Sequence, residues 1–280
     1  MRADISVIVP AYAAAATIVR AAQSVFAQAG VDVELVLCAD DGFDYACLLP
    51  AELRAGNRMT FCRTPSPASG PSVARNIATA HASADVIACL DADDINHPQR
   101  LAKQVDYLDR HPEVAAVGVW GRHIEETSGK TIWVNHTPAS PHDVKKAMYA
   151  NLAIVNSSAM IRTDAFRAVG LYSERYPAAE DYEFFKRLSA KFAIANLPEV
   201  LIDVCISRQG ISLKRRRRQL LDRFLIQLKY FEWAERGAWL GLLRTLLLFF
   251  VPTSLHSRVK SSSRHFYSGV TALFARQRTI

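Results

Sequence analysis

The chain has 280 residues, half of them hydrophobic and 22% charged, a globular composition that excludes a disordered chain and supplies a sizeable core. No apolar run reaches the roughly 18–20 residues that a membrane-spanning helix needs. The net charge of +7 is unevenly placed: from Ser207 onward there are 15 Lys/Arg against 3 Asp/Glu, whereas the first 206 residues carry 19 against 24. An acidic body, 1–206, is therefore expected to precede a basic helical region, 207–280.

Residues 5–9 predict a buried strand. The segment 5–19 has the outline of a secretory leader, but Asp4 in its charged end and Pro10 within it argue against one. A helix is expected over 14–28, with Ile18, Ala21 and Val25 at helical spacing. Strands follow at 33–38 and 59–62, a helix at 73–82, and a fully apolar strand at 86–90. The next helix, 98–110, begins with Pro98 in its first turn and aligns Leu101, Val105 and Leu108; 114–119 is a further strand. This alternation predicts an α/β fold with a mostly parallel, doubly wound sheet. Between 121 and 151 the pattern loosens around a short helix near 142–149. A strand at 158–161, a helix at 180–191 and two short strands at 192–194 and 200–206 complete the body.

The basic region opens with five consecutive cations, 214–218. Leu220, Leu221, Phe224, Leu225, Leu228 and Phe231 then recur at helical spacing. Residues 239–251 are apolar apart from Arg244. Cations beside such helices suit an anionic membrane surface, although a helical tail packed on its own domain gives the same pattern. No nucleic-acid-binding motif accompanies the charge, so a nucleic-acid partner is not expected. The five cysteines, Cys38, Cys47, Cys62, Cys89 and Cys205, show no C-x-x-C spacing and are expected to be reduced, as suits a cytoplasmic protein.

In open α/β sheets ligands bind beyond the carboxyl ends of the strands. Two acidic clusters fall there: Asp40-Asp41 after the second strand and Asp91-Ala92-Asp93-Asp94 after the strand at 86–90. Hard cations such as Mg²⁺ and Mn²⁺ prefer carboxylates, and a turn after a buried strand aims Asp91 and Asp93 at one point. Such an ion can bridge to diphosphate oxygens, although a solvated acidic turn looks the same in sequence. Arg75, near the start of its helix after Gly70-Pro71-Ser72, suits an anion. Glu180-Asp181 opens a helix; acids there stabilise the helix dipole, or one of them serves as a general base. No H-E-x-x-H, Ser/His/Asp arrangement or P-loop is present.

Taken together these segments resemble the bacterial family 2 glycosyltransferases, of GT-A fold, over residues 4–206. ISVIVPAY, with Pro10 and Tyr12, resembles the family's first strand and the turn beneath the nucleotide. ELVLCADDG resembles the strand whose acids, here Asp40 and Asp41, contact the base. GPSVARN, with Arg75, is similar to the phosphate-contacting segment. VIACLDADD with Pro98, Arg100 and Leu101 resembles the metal-binding strand and the helix after it. EDYEFFKRL resembles the motif whose aspartate, here Asp181, is the base of inverting transfer. The resemblance implies transfer from a nucleotide-diphospho-sugar, UDP-linked, to a glycan or lipid-linked acceptor in cell-surface polysaccharide synthesis. It further implies Mn²⁺ or Mg²⁺ on Asp91 and Asp93, with Asp91 also facing the donor. With the basic region, it places the enzyme in the cytoplasm, peripheral to the inner face of the cell membrane.

Two positions depart from the family pattern: Ala13 stands where Asn is usual, and Phe43 where Ser follows the glycine. Two alternatives stay open on the residues alone. A haloacid-dehalogenase-like phosphatase also opens on a strand ending D-x-D, with Asp91 as nucleophile, but there Gly-Thr or Gly-Val usually follows rather than Asp94-Ile95. A non-catalytic membrane-binding protein would use the basic region alone.

Overall fold

The structure is a computed structural model that describes residues 3–206 and 215–250. In chain order the elements begin β1 (Ile5–Ala11), α1 (Ile18–Phe26), β2 (Val33–Ala39), α2 (Ala51–Arg54), β3 (Arg58–Arg63) and α3 (Pro71–His81). Next come β4 (Val86–Cys89), β5 (Ile95–Asn96), α4 (Arg100–Arg110), β6 (Val114–Glu125), β7 (Thr131–Asn135) and α5 (Pro141–Ala147). The body ends with β8 (Met160–Arg162), α6 (Thr163–Val169), α7 (Glu180–Ser189) and β9 (Ala193–Ile206), and the basic region forms α8 (Arg216–Lys229) and α9 (Arg236–Phe250).

One sheet runs β3-β2-β1-β4-β8-β6-β9-β5, with β7 hairpinned onto β6. Its first four strands are parallel, the doubly wound half that the alternating pattern predicts. The side-chain period of two splits β1 between the two faces. Ile5, Val7 and Val9 pack with Ile18, Ala21, Val25 and Leu101 on one side. Ile8 packs with Ala74, Ala78, Phe184 and Phe185 on the other. The sheet is thus buried on both faces, which is why these strands read as continuous apolar runs.

Beyond β4 the sheet becomes mixed. β8 lies antiparallel to both β4 and β6, whereas β6 and β9 are parallel. The two short strands expected at 192–194 and 200–206 are a single strand, β9. The register jumps from Val119↔Leu197 to Trp120↔Val200, so Pro198-Glu199 bulges out of the ladder. That proline and charge broke the apolar pattern in sequence without breaking the strand. The loose region after 121 contains the end of β6 and the hairpin to β7, stacked through His123 and Trp133 at 4.1 Å. All five cysteines are free; Cys38, Cys89 and Cys205 are buried and Cys47 is exposed.

The basic region folds back onto the body. Arg223 and Gln227 of α8 donate to the Ala150 carbonyl at 2.7 and 3.1 Å. α9 lays its small face, Ala238, Gly241 and Thr245, against the same segment. A Cβ at Gly241 would stand 2.7 Å from Ala150 Cα and 2.8 Å from the Tyr149 carbonyl oxygen, so this approach requires glycine. The opposite face of α9 exposes Trp239, Leu240, Leu243, Leu247 and Phe250. Among the described residues no helix is long and apolar enough to cross a membrane. The cation Lys214 and the last residue of the apolar run, Val251, lie outside the described residues.

Candidate functional site

The carboxyl ends of β2, β1 and β4 lie side by side, with β1 in the middle, so Asp40-Asp41 and the Asp91–Asp94 turn flank the Pro10–Ala13 turn. Tyr12 is half exposed. Ala13 has φ +50°, a left-handed conformation that costs an alanine roughly 1 kcal/mol and that asparagine tolerates better. The turn is held from outside itself. The Ala13 amide donates to Asp41 Oδ2 at 2.7 Å, the Ala14 amide to the Tyr45 hydroxyl at 2.9 Å, and that hydroxyl to Asp41 Oδ2 at 2.6 Å. Partial burial works against its charge, but the Tyr45 hydroxyl and the Ala13 and Phe43 amides hold Asp41 below the usual carboxylate range.

Asp40 has a different task. It is buried and accepts from the Thr64 hydroxyl and from the amides of Ser69 and Gly70, each at 2.9 Å. Both of its oxygens are thereby engaged with the loop that feeds α3. Of the two acids expected against the base, Asp41 is the less buried.

β4 delivers Asp91 to the centre of the site. Arg100, fully buried, donates to the Cys89 carbonyl at 2.9 Å and so pins the end of β4 to α4. Arg75, on α3, donates to Asp91 Oδ1 at 2.9 Å and to Glu180 Oε1 at 2.8 Å. Its guanidinium lies 5.6 Å from the centre of the Tyr172 ring, and its Nε is buried without a hydrogen-bond partner among the described residues. Burial opposes that charge, yet Asp91 and Glu180 hold it firmly on the arginine. The sequence motifs around 75, 91 and 180 therefore meet at one cation.

Burial pushes Asp93 up to about 6, helped by the neighbouring Asp91 charge and by Glu126, while Arg20 opposes the shift. Two carboxylates that repel each other in a cleft are a donor set that a hard divalent cation relieves, so Asp91 and Asp93 fit Mn²⁺ or Mg²⁺. Among the described residues no group of three or more His, Cys, Asp or Glu forms a closed cage, so the remaining ligands would be water or substrate oxygens. Asp94 is no ligand candidate. It is buried, pushed well above the carboxylate range by burial and by Asp93, and it accepts from the Cys205 amide at 2.8 Å, tying the turn to β9.

Asp181 stands in the first turn of α7, its Oδ1 accepting from the Tyr182 amide at 2.7 Å. Burial and the adjacent Glu180 raise it to about 7, with Arg75 opposing and Asp91 adding. Sequence reasoning missed Tyr172, which floors the guanidinium, and Arg20, which donates to the Asp93 carbonyl at 3.3 Å. Neither sits in a segment whose pattern is distinctive; only the fold brings them in. Replacing Arg75 by Met keeps the bulk and strands two carboxylates. We expect Arg75→Met to cost about 3 kcal/mol in urea unfolding, the low end for a broken buried pair because Asp91 is partly solvated.

Comparison with known proteins accords with this geometry. The family model Glycosyl transferase family 2 matches residues 6–170, more than half of the chain. The amylovoran biosynthesis glycosyltransferase AmsE of Erwinia amylovora is 30% identical over 135 residues, 48% of each chain. The chain spans about half the length of AmsE, and 64% of an uncharacterized glycosyltransferase of Haemophilus influenzae to which it is 29% identical over 208 residues. Among solved structures, S. aureus TarS 1–349 in complex with UDP-GlcNAc superposes with a TM-score of 0.67 at 17% identity, over 88% of this chain and 72% of that one. The mannosyltransferase PcManGT from Pyrobaculum calidifontis, in complex with GDP-Man and Mn2+, gives 0.64 at 17% identity over 99% and 80%. These likenesses show the GT-A fold and leave no place for the haloacid-dehalogenase alternative. With motifs, topology and family model in agreement, the chain belongs to glycosyl transferase family 2.

Proposed function

We propose that the protein is an inverting glycosyltransferase that moves a sugar from a nucleotide-diphospho-sugar to an acceptor hydroxyl in cell-surface glycan synthesis. The observation that carries this reading is the Arg75 bridge, which brings the turn bearing Asp91 and Asp93 and the helix bearing Asp181 to one cleft. Tyr12 and Asp41 border the side of the cleft where a nucleotide would lie, and Arg75 is the cation nearest the turn that would face its diphosphate. Asp91 and Asp93 would hold Mn²⁺ or Mg²⁺, which supplies neutralisation of the departing diphosphate. Asp181 takes the proton from the acceptor hydroxyl as that oxygen bonds to the anomeric carbon. The bond from that carbon to the diphosphate oxygen breaks on the opposite face, inverting the centre. The acceptor is proposed to be a glycan or a lipid-linked glycan, in keeping with the biosynthetic role in the name of the Erwinia relative, an amylovoran biosynthesis glycosyltransferase. The donor is proposed to be UDP-linked, and a thermal-shift screen of UDP- and GDP-sugars with Mn²⁺ tests it.

Asp93→Ala removes one of two repelling carboxylates and one hard ligand. Calorimetry with UDP should show Mn²⁺-dependent binding in the wild type and none in the variant; equal affinities would refute the metal assignment.

A base acts only when deprotonated, so turnover should rise with pH through about 7 and level off above it. Asp181→Asn should abolish that limb and lower turnover by roughly 10²–10⁴ while donor binding persists. Turnover within about twofold of wild type would make Asp181 a structural acid.

Attachment to the inner face of the cell membrane is proposed through the outer face of α9, where Leu240, Leu243, Leu247 and Phe250 are exposed, with Trp233 and Trp239 packed 5.3 Å apart beside it. Exposed Arg215 and Arg217 lie at the start of the neighbouring helix, and each cation near an anionic bilayer adds about 1 kcal/mol. Because α8 packs on α7, truncation at 207 would damage the body, so surface substitution is the cleaner test. The intact chain should float with phosphatidylglycerol vesicles, less so at high salt, and a Leu240→Ser, Leu247→Ser, Phe250→Ser variant should stay in the soluble fraction. No lipid-dependent flotation of the intact chain ends this part of the proposal.

A further inference from the structure

The helix that carries Glu180 and Asp181 gets no cap from its N-cap residue. Ala179 occupies the N-cap position of α7 and makes no side-chain cap bond, and the Asp181 carboxylate turns onto the amide of Tyr182. A helix start leaves four backbone N–H groups without intrahelical partners, so an uncapped end is placed by whatever holds its surroundings.

Here the surroundings are a clamp with two jaws. On the inner side α3 grips the loop before α7. The Asn76 side chain exchanges two 2.9 Å hydrogen bonds with the Tyr172 backbone, and Ser72 donates to the Ser173 carbonyl at 3.2 Å. On the outer side the grip comes from the basic region. Asp222 of α8, wholly buried, accepts from the Ala178 amide through Oδ2 at 3.1 Å, while its Oδ1 lies 2.8 Å from Arg218 Nε as an ion pair without hydrogen-bond alignment. Glu183, in the first turn of α7 and also buried, receives the Tyr230 hydroxyl at 2.7 Å and Lys229 at 3.1 Å, besides Arg187 of its own helix. Burying a carboxylate is unfavourable unless it is fully paired, and an apolar side chain of similar volume would pack α8 on α7 at least as well. Asp222 does what no apolar residue can: it holds a backbone amide two residues ahead of Glu180.

We propose that α8 is a positioning strut for the Asp181 base, with Asp222 as its latch on Ala178 and Glu183 as its socket for Lys229 and Tyr230. The proposal rests on the reading of Asp181 as general base. Asp222 and Glu183 touch no reacting atom in this scheme; they act through the placement of the first turn of α7.

The test uses the full chain and compares Asp222→Leu with Asp222→Asn, which keeps an oxygen for the Ala178 amide. By hydrogen exchange, amides in 176–182 should exchange at least tenfold faster in Asp222→Leu and at the wild-type rate in Asp222→Asn. With the UDP- or GDP-sugar that the donor screen identifies, kcat for release of the nucleoside diphosphate should fall roughly 10- to 100-fold in the leucine variant, the scale of a small misplacement. Donor KM and UDP–Mn²⁺ affinity should stay within about twofold, and the asparagine variant should restore kcat. Tyr230→Phe, a milder change, should lower kcat less, again without moving KM. Wild-type exchange and kcat in Asp222→Leu would overturn the proposal. So would equal damage in Asp222→Asn, or faster exchange spread through all of α7 and α8, which would mark a merely structural acid. Asp181→Asn run alongside separates the two readings: wild-type turnover there removes the base, whereas a dead Asp181→Asn beside an unimpaired Asp222→Leu removes only the strut.

Discussion

A guanidinium taken out of water must find its counter-charges, and Arg75 finds them on two segments far apart in the chain. Asp91 comes from the end of β4 and Glu180 from the start of α7, and neither segment has a local reason to face the other. One buried cation therefore holds the two segments together across the site. It also sets its electrostatics: Arg75 offsets part of the repulsion that Glu180 and Asp91 impose on Asp181. Remove that positive centre and Asp91 and Glu180 would lose the charge that bridges them.

The acids around this centre divide by whether their oxygens are already engaged. Asp40 and Asp94 are buried and bonded to backbone or side-chain donors of other segments, so they hold loops in place. Asp91 and Asp93 belong to one turn and the charge of Asp91 disfavours charge on Asp93, a repulsion that a cation would relieve. Asp181 is raised by burial and by like charge, the combination that tunes a carboxyl toward neutral pH. Identical side chains in adjacent positions thus receive opposite tasks, and the division follows from donors supplied by Thr64, Ser69, Gly70 and Cys205.

The same economy of placement extends to the basic region. α9 buries a small face against Tyr149-Ala150, and α8 with the residue after it sends Asp222, Lys229 and Tyr230 toward α7. The outer face keeps its leucines and aromatics exposed. A region whose composition reads as an appendage is, on one side, part of the wall behind the cleft.

Local pattern was enough to read the first half of the sheet. A buried parallel strand must be apolar on both faces, and a helix laid on it must repeat its apolar residues every three or four positions, so β1, β2, β4, α1 and α4 are legible as elements, with bounds that shift by one to four residues. The acids at strand ends were equally legible, because the carboxyl edge of such a sheet is where chemistry collects. Tertiary structure alone decided the rest. β8 runs antiparallel between β4 and β6, a pairing between segments some 45 to 75 residues apart that no local window contains. Pro198-Glu199 bulges from β9 rather than ending it, because the ladder with β6 continues on both sides. The partners of Arg75, the commitment of Asp40 to the loop before α3, and the seat of Asp222 on Ala178 are all matters of charge and hydrogen bonding. Such contacts carry no periodicity in sequence; they exist only once distant elements are packed close enough to exclude water.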